Sequence, residues 1–337
     1  MSENLKTVPL FNEFGDDKPE SQQLIGGNPT GISNLNENKY KWTNQLYRIM
    51  TGNFWVPEKV SMAEDKNTIT ELTAEEDEAV KDTLSFLIFL DSFQCINLPN
   101  LHHYITAPNV ANLLVIQQFQ EVIHSQSYQY ILDALYPLMT RESIYNRWRT
   151  NPNLLERIRY VTAIAERFTE DPTMENFKEV IVANLLLEAI YFYQGFMFFD
   201  QLASRNKLVQ TSKQIDYIRN DEMTHIGIFT NIIREVFTEE DNEMIIRMVK
   251  DAVQHEIDWA HFVYGDKILG ISAASSEQYV KYLANDRMGR IGIEPIYPEV
   301  TTNPYAHLEG KKRENFFEAG AVTSYDRSES VAGWDDF

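Results

Sequence analysis

Apolar residues recur along most of the chain at the spacing of an α-helix. The chain has 337 residues with 14 Gly and 12 Pro, which favours long helices over many short strands. Thr73 and Glu76 have the spacing of a capping box, so we expect the first helix to begin at Thr73. We expect Pro99 to end this helix. The predicted helices lie at about 73–97, 109–137, 141–149, 153–168, 172–206, 211–237, 239–264 and 275–288. This pattern predicts an all-α fold in one extended helical domain.

The two ends of the chain lack this helical pattern. The N-terminal segment is rich in Asn, Gly, Asp and Ser without a sustained period, so we expect a mobile arm. The C-terminal stretch 319–337 is polar and has too little apolar surface to pack on itself, although it carries isolated aromatic residues such as Tyr325. The predicted parts are an arm at 1–35, a helical domain at 36–295 and a flexible tail at 296–337.

Composition limits the class of protein. Apolar residues make up 43% of the chain and aromatic residues 12%, enough for a large core. The formal charge of −20 opposes direct binding to nucleic acid or to an anionic membrane surface. The N-terminus lacks a basic region followed by an apolar run, and the single cysteine, Cys95, excludes an internal disulfide. We therefore expect a cytoplasmic protein that binds neither nucleic acid nor membrane.

Two Glu-x-x-His pairs lie on different predicted helices. Glu121 with His124, and Glu222 with His225, are each spaced at i and i+3, so each pair shares one helix face. Two such pairs on separate helices are what a dinuclear metal site in a helical bundle requires. One pair alone is weak evidence, because in a chain with 7 His a chance match is expected roughly half the time. The occurrence of two pairs in long apolar helices is far more specific.

Two isolated carboxylates, Asp91 and Glu188, lie in two further apolar helices. Burial of an unpaired carboxylate is costly, and a cluster of four carboxylates would repel strongly unless cations lay among them. Oxygen donors with one nitrogen per ion suit iron or manganese better than zinc. The alternative is that Asp91 faces water and that the two pairs are unrelated surface groups. The candidate metal ligands are Asp91, Glu121, His124, Glu188, Glu222 and His225.

Tyr128 lies four residues after His124 on the same helix face. At this spacing a metal centre that has activated oxygen could oxidise the phenol. Phe192, Phe196 and Ile218 lie on ligand-bearing helices, where they could enclose the phenol in apolar groups and protect a phenoxyl radical from water. Without the metal ligands, Tyr128 would be interpreted as an ordinary core tyrosine.

These residues resemble the radical-generating small subunit of class I ribonucleotide reductase, over about residues 40–290. The resemblance rests on Leu90-Asp91-Ser92, Glu121-x-x-His124-Ser125-x-Ser127-Tyr128, Leu187-Glu188-Ala189-Ile190-x-Phe192-Tyr193 and Asp221-Glu222-x-x-His225. It implies a ferritin-like helical bundle, a homodimer, and a dimetal centre that uses O₂ to form a stable tyrosyl radical at Tyr128. Two iron ions are the expected cofactor, with manganese and mixed manganese and iron centres left open.

The resemblance also implies roles outside the metal centre. Trp55 resembles the family's tryptophan, which with Asp221 and His124 would form a hydrogen-bonded route for proton-coupled electron transfer. Tyr325 resembles the tail tyrosine that carries the radical toward the large subunit, and the last residues of the tail resemble the peptide that docks there. Ribonucleotide reduction in this family needs a redox-active cysteine pair, and Cys95 is the single cysteine here. The reduction itself is therefore expected on the large subunit.

Two alternatives belong to other functional classes. Another O₂-activating dimetal oxidase or monooxygenase, such as a desaturase, would typically carry a glutamate in place of Asp91 and would not need Tyr128 or a docking tail. A ferritin-like iron store would be a much shorter chain without turnover. One departure from the family pattern is Asn220, which precedes Asp221 where relatives commonly have a basic residue.

Overall fold

The computed structural model describes residues 4–36 and 38–308. Over these residues the chain is helical, without a β-strand, and an isolated β-bridge joins Ile25 to Ile105. The prediction of an all-α fold is therefore confirmed. The α-helices are α1 (Trp42–Gly52), α2 (Asp65–Thr68), α3 (Ala74–His102), α4 (Pro108–Leu135), α5 (Leu138–Tyr145), α6 (Pro152–Glu170), α7 (Met174–Leu186), α8 (Tyr193–Ala203), α9 (Val209–Val236), α10 (Asn242–Val263) and α11 (Ala273–Arg290). A π-helix spans Leu187–Tyr191, and 3₁₀ turns span Pro57–Lys59, Ile69–Glu71, Arg147–Arg149 and Glu239–Asp241.

The N-terminal segment 4–36 has no helix and lies against the helical body. Leu24 and Ile25 are buried there, and the backbone N–H of Thr106 donates to the carbonyl of Leu24 at 2.9 Å. The predicted mobility of this arm and the division at residues 36 and 296 stay predictions. Residues 309–337, which include Tyr325 and the predicted docking peptide, lie outside the described residues.

The centre of the body is a bundle in which α3 packs along α4, and α9 packs against α4, α7 and α8. Every residue from 180 to 202 is buried, which is the behaviour of a central helix that is apolar on all sides. The stretches Ala74–His102 and Met174–Ala203 are long and apolar enough to cross a membrane, but 56% and 100% of their apolar windows are buried inside the protein. Their hydrophobicity is accounted for by the core.

Helix α3 begins as predicted and ends later than predicted. The Thr73 hydroxyl accepts from the backbone N–H of Glu76 at 3.2 Å, and the Glu76 carboxylate accepts from the N–H of Thr73 at 3.0 Å, so the capping box is present. Pro99 does not end the helix, which continues to His102. A proline this close to the end removes little of the hydrogen-bond ladder, and the N–H of His103 still donates to the carbonyl of Pro99 at 3.3 Å.

The single helix predicted at 172–206 is divided by the π-helix Leu187–Tyr191. A π turn contains an extra residue, so the side chains on either side of it are displaced from the register of a continuous α-helix. Apolar residues surround this helix on every side, so the hydrophobic pattern gave no sign of the change. The π-helix carries Glu188, and π turns occur frequently at functional sites.

Candidate metal centre

Four helical segments bring the six predicted ligands to one place in the core, where each has a relative exposure of 0%. Asp91 comes from α3, Glu188 from the π-helix, and the two Glu-x-x-His pairs from α4 and α9. The ligand atoms form two groups, each with its atoms within 4.8 Å of one another. The groups are Asp91, Glu121, His124 and Glu222, and Glu121, Glu188, Glu222 and His225. Two carboxylates therefore belong to both groups, which is the arrangement of residues that bridge a pair of ions.

His124 points its Nδ1 atom into the first group. This nitrogen lies 2.9 Å from Asp91 Oδ1, 3.3 Å from Glu121 Oε2 and 3.2 Å from Glu222 Oε1. The other ring nitrogen, Nε2, lies 3.2 Å from Asp221 Oδ2 on the outer side. One imidazole nitrogen thus faces the carboxylates, and the other is held by an outer carboxylate, as is usual for a metal-binding histidine.

His225 is oriented in the same way toward the second group. Its Nδ1 lies 2.8 Å from Glu222 Oε2, 3.4 Å from Glu121 Oε1 and 3.6 Å from Glu188 Oε2. Its Nε2 lies 3.0 Å from Gln120 Oε1. The two imidazoles therefore enter the cluster from α4 and α9, with one nitrogen for each group.

Within the described ranges 4–36 and 38–308, several fully buried oxygens of the cluster lack a hydrogen-bond partner. They are Asp91 Oδ2, Glu121 Oε2, Glu188 Oε2 and Glu222 Oε1, one from each carboxylate. An unsatisfied buried carboxylate oxygen is costly, and coordination to a cation would satisfy it. The donor set is rich in oxygen with one nitrogen per group, which suits two iron or manganese ions better than zinc. The residues present therefore fit a dimetal centre.

The pKa values in this cluster reflect burial and crowding of like charges. Burial raises the pKa of Asp91 to about 8, and burial with the charges of Glu188 and Glu121 raises the pKa of Glu222 well above its usual value. Burial alone would lower the pKa of His124, but hydrogen bonds to acidic neighbours outweigh it and raise that pKa well above its usual value. Asp91, Glu222 and His124 therefore hold protons more readily than usual, and bound cations would compete with those protons.

Three glutamines hold the outer side of the cluster, and the sequence interpretation missed them. Gln117 Nε2 donates to Glu121 at 3.2 Å and to Glu188 at 2.9 Å, and Gln94 also donates to Glu188. Gln120 Nε2 donates to Asp221 Oδ1 at 2.9 Å. Helical spacing could have indicated two of them, because Gln117 lies four residues before Glu121 and Gln120 lies four residues before His124.

Tyr128 lies in the core with a relative exposure of 0%, and its hydroxyl has no hydrogen-bond partner among residues 4–36 and 38–308. Burial and the charges of Asp91 and Glu222 raise its pKa well above the usual value, so the phenol is neutral. The predicted apolar residues are also fully or almost fully buried, with Phe192 and Ile218 at 0% and Phe196 at 1% exposure. The rings of Phe192 and Phe196 stack with centroids 5.5 Å apart.

Trp55, Asp221 and His124 form a continuous hydrogen-bonded chain. Trp55 Nε1 donates to Asp221 Oδ2 at 2.9 Å, and the same oxygen lies 3.2 Å from His124 Nε2. Trp55 is 6% exposed, so the chain leads from the buried cluster to a residue just beneath the surface. The structure therefore brings the six predicted ligands together and links them to Asp221 and Trp55, whereas Tyr325 lies outside the described residues.

The fold and the site define a ferritin-like dimetal carboxylate protein, in which two Glu-x-x-His pairs and two further carboxylates converge in a helical bundle. Residues 32–304 match the family model described as "Ribonucleotide reductase, small chain". The chain belongs to this family. It is accordingly the small subunit of an oxidoreductase that works with a large subunit.

Relatives match over nearly the full length. The ribonucleoside-diphosphate reductase subunit beta of Treponema pallidum is 37% identical over 97% of this chain and 97% of its own length. The subunit beta of Halalkalibacterium halodurans is 35% identical over 88% of this chain and 90% of its own. The solved ribonucleotide reductase R2 subunit from Clostridium botulinum is 43% identical with a TM-score of 0.89, covering 91% of this chain and 99% of that one.

Proposed function

We propose that this chain stores a one-electron oxidising equivalent as a tyrosyl radical at Tyr128 and delivers it to the large subunit for reduction of ribonucleotides to deoxyribonucleotides. Two metal ions, most simply iron, would be held by the six clustered residues, with Glu121 and Glu222 shared between them. When bound, such a pair of ions supplies activation of O₂ and the oxidising power for the phenol. Manganese, or one ion of each metal, would satisfy the same donors.

The environment of Tyr128 carries this proposal. The phenol is fully buried, its hydroxyl has no hydrogen-bond partner in the part of the chain that the structure describes, and the charge of Asp91 acts on it. A neutral phenol beside a carboxylate can lose its proton locally when it loses an electron. Stacked Phe192 and Phe196, with buried Ile218, add apolar surface to the surrounding core and help to keep water and reductants away from a radical.

Trp55, Asp221 and His124 support the second half of the proposal, which is delivery of the oxidising equivalent. Their hydrogen bonds give an electron a short route from Trp55 toward the centre, and Asp221 can accept the indole proton at Oδ2. Gln120 holds the other oxygen of Asp221, which fixes the orientation of the carboxylate. We propose that Tyr325 continues this route across the gap to the large subunit.

The partners proposed for the chain follow from the same function. The large subunit would bind the tail at residues 296–337, and its cysteines would reduce the ribonucleotide, because Cys95 is the single cysteine here. We propose that the chain acts as a homodimer in the cytoplasm and contributes to deoxyribonucleotide synthesis for DNA replication.

The test is electron paramagnetic resonance of protein loaded with ferrous iron and exposed to oxygen. Wild-type protein is expected to show a tyrosyl radical. Tyr128→Phe should remove the signal completely while both metal ions stay bound, because the phenol is not among the clustered donor atoms.

The matched control is Tyr193→Phe, which changes another buried tyrosine whose ring lies 5.6 Å from that of Phe196. This variant should keep the radical. A wild-type spectrum without an organic radical after loading with iron, manganese or both metals together would overturn the assignment.

A further inference from the structure

Trp55 has an aromatic neighbour on each side. On the inner side its ring lies 6.1 Å from that of His124, with the planes inclined by 26°. On the outer side its ring lies 5.2 Å from that of Tyr217, with the planes inclined by 22°. Three rings are therefore stacked from the buried cluster outward, and the hydrogen-bonded chain through Asp221 involves only the inner two.

Tyr217 is placed differently from every buried tyrosine near the cluster. It lies on α9 one turn before Asp221, and its side chain is only partly buried. A phenol that is partly open to solvent can exchange its hydroxyl proton with water, so it can be oxidised and reduced again from outside. Tyr128, in contrast, is sealed and suited to holding a radical.

If the proposed function is correct, the number of electrons needed to reduce O₂ gives Tyr217 a role. Reduction of one O₂ to water consumes four electrons. A bound pair of divalent ions would supply two of them on becoming trivalent, and oxidation of Tyr128 would supply one. The remaining electron has to enter from outside the protein, and a partly exposed residue in contact with Trp55 is suited to receive it.

We propose that Tyr217 is the entry point at which an external one-electron reductant supplies electrons to Trp55. In the step that Tyr217 carries out, Trp55 has lost one electron toward the centre and its indole proton to Asp221 Oδ2. Trp55 regains the electron from the Tyr217 ring and the proton from Asp221, and the Tyr217 hydroxyl proton passes to water. The reductant then returns one electron to the Tyr217 phenoxyl, and water returns one proton. No bond to carbon forms or breaks, and the reductant leaves oxidised by one electron.

This entry point is separate from the route that ends in the tail. Residues 309–337 are not needed for the stack of three rings, because all of these rings lie in α4, α9 and the segment before the first 3₁₀ turn. Trp55 also borders an apolar cavity of about 290 Å³ together with Phe119 and Asp221. Tyr217 does not line that cavity, so a partner that covered the cavity would leave the stacked side of Trp55 available.

The first test uses metal-free protein, so that it does not depend on the activity of the centre. Azide radicals generated by pulse radiolysis oxidise tryptophan, and transient absorption follows the decay of tryptophan radical and the growth of tyrosyl radical. The chain has 5 Trp, so the decay of tryptophan radical can have several kinetic phases. The phase that disappears in Trp55→Phe is the decay of the Trp55 radical. Tyr217→Phe keeps the stacked ring but removes the oxidisable phenol, and it should slow that phase by about tenfold or more.

The matched control is Tyr104→Phe, which alters a partly buried tyrosine whose ring lies 5.0 Å from Phe168 and is not stacked on a tryptophan. This variant should leave the phase unchanged. Deletion of residues 319–337 should also leave it unchanged. An unaltered phase in Tyr217→Phe would overturn the inference and show that Tyr217 only packs against Trp55.

The second test uses protein loaded with ferrous iron and oxygen in the presence of ascorbate as the reductant. Ascorbate should shorten the lifetime of the Trp55 radical in wild-type protein, and Tyr217→Phe should lose this effect by about tenfold or more. The two proposals fail in different ways. Absence of a radical at Tyr128 would remove the proposed function while the metal-free result stands, whereas an undiminished ascorbate effect in Tyr217→Phe would remove only the entry point.

Discussion

At the scale of single residues, the side-chain donors that hold Glu121 and Glu188 from outside the cluster are neutral amides. Gln94 and Gln117 donate to Glu188, and Gln117 also donates to Glu121. Within residues 4–36 and 38–308, none of the four clustered carboxylates forms an ion pair with lysine or arginine. An amide fixes a carboxylate without neutralising its charge, so the full negative charge stays available for cations.

The shared carboxylates lead to a prediction about metal content. Asp91→Asn changes one group and leaves the other complete, so the variant should keep about half of the wild-type metal. Glu222→Gln changes both groups and should weaken the binding of both ions. Metal analysis of dialysed protein measures the difference, and equal losses in the two variants would contradict the shared role of Glu222.

A stability measurement separates this effect from misfolding. In metal-free protein, Glu222→Gln replaces a crowded, buried carboxyl group, whose pKa is raised well above its usual value, with a neutral amide. The free energy of unfolding at neutral pH should then be unchanged or higher than in wild type, because the amide does not have to take up a proton on burial. A lower unfolding free energy would mean that the metal loss reflects damage to the fold.

How far the site could be predicted depended on the chemistry of each residue type. Asp91 and Glu188 stood out because a carboxylate in an apolar helix is costly unless something compensates it. Gln117 did not stand out, because glutamine is neutral and common on helix surfaces. Tyr217 could not be found from spacing, since its contact with Trp55 joins positions 162 residues apart, the difference between 217 and 55.

At the scale of helices, the sequence located the most apolar segments well but did not predict their internal geometry. The capping box at Thr73 gave the start of α3, whereas the interior at 187–191 gave no sign of a π turn. Periodicity reports which side of a helix is buried, and a segment that is buried on every side has no such contrast. Helix α1 at Trp42–Gly52 was missed because it is short and contains few core residues.

Helix α9 carries Asp221, Glu222 and His225, and its first turn depends on one buried carboxylate. Asp65 accepts from the backbone N–H of Gln210 at 3.0 Å and from that of Thr211 at 2.6 Å. The residue before the helix, Leu208, has a φ of +48°, a strained conformation for a branched side chain.

We predict that Asp65→Ala lowers the free energy of unfolding by about 1–3 kcal/mol, because it leaves the N–H of buried Thr211 and that of partly buried Gln210 without their acceptor. Urea denaturation of metal-free protein measures the change. Glu240→Ala, at an exposed position, is the control and should stay within about 0.5 kcal/mol of wild type. A result for Asp65→Ala as small as the control would show that solvent satisfies this helix start.

At the scale of the whole molecule, α4 is apolar on a face that a single chain leaves open. Val115, Phe119 and Val122 follow one another at i, i+4 and i+7, and they are 51%, 49% and 42% exposed. The opposite face of the same helix carries the fully buried Glu121 and His124. An exposed apolar stripe on a long helix is often an interaction surface, so we propose that a second copy of the chain covers this one.

The homodimer leads to the last prediction. The chain has a mass of 39.2 kDa, so light scattering after size exclusion should give about twice that mass for wild-type protein. Val115→Glu places a charge in the apolar face and should shift the mass to that of one chain. Leu269→Glu is the control, since Leu269 is 70% exposed in a different region, and it should stay dimeric. If Val115→Glu kept the dimer while Leu269→Glu lost it, the contact between chains would lie elsewhere, and the apolar face of α4 would have to be covered by another partner.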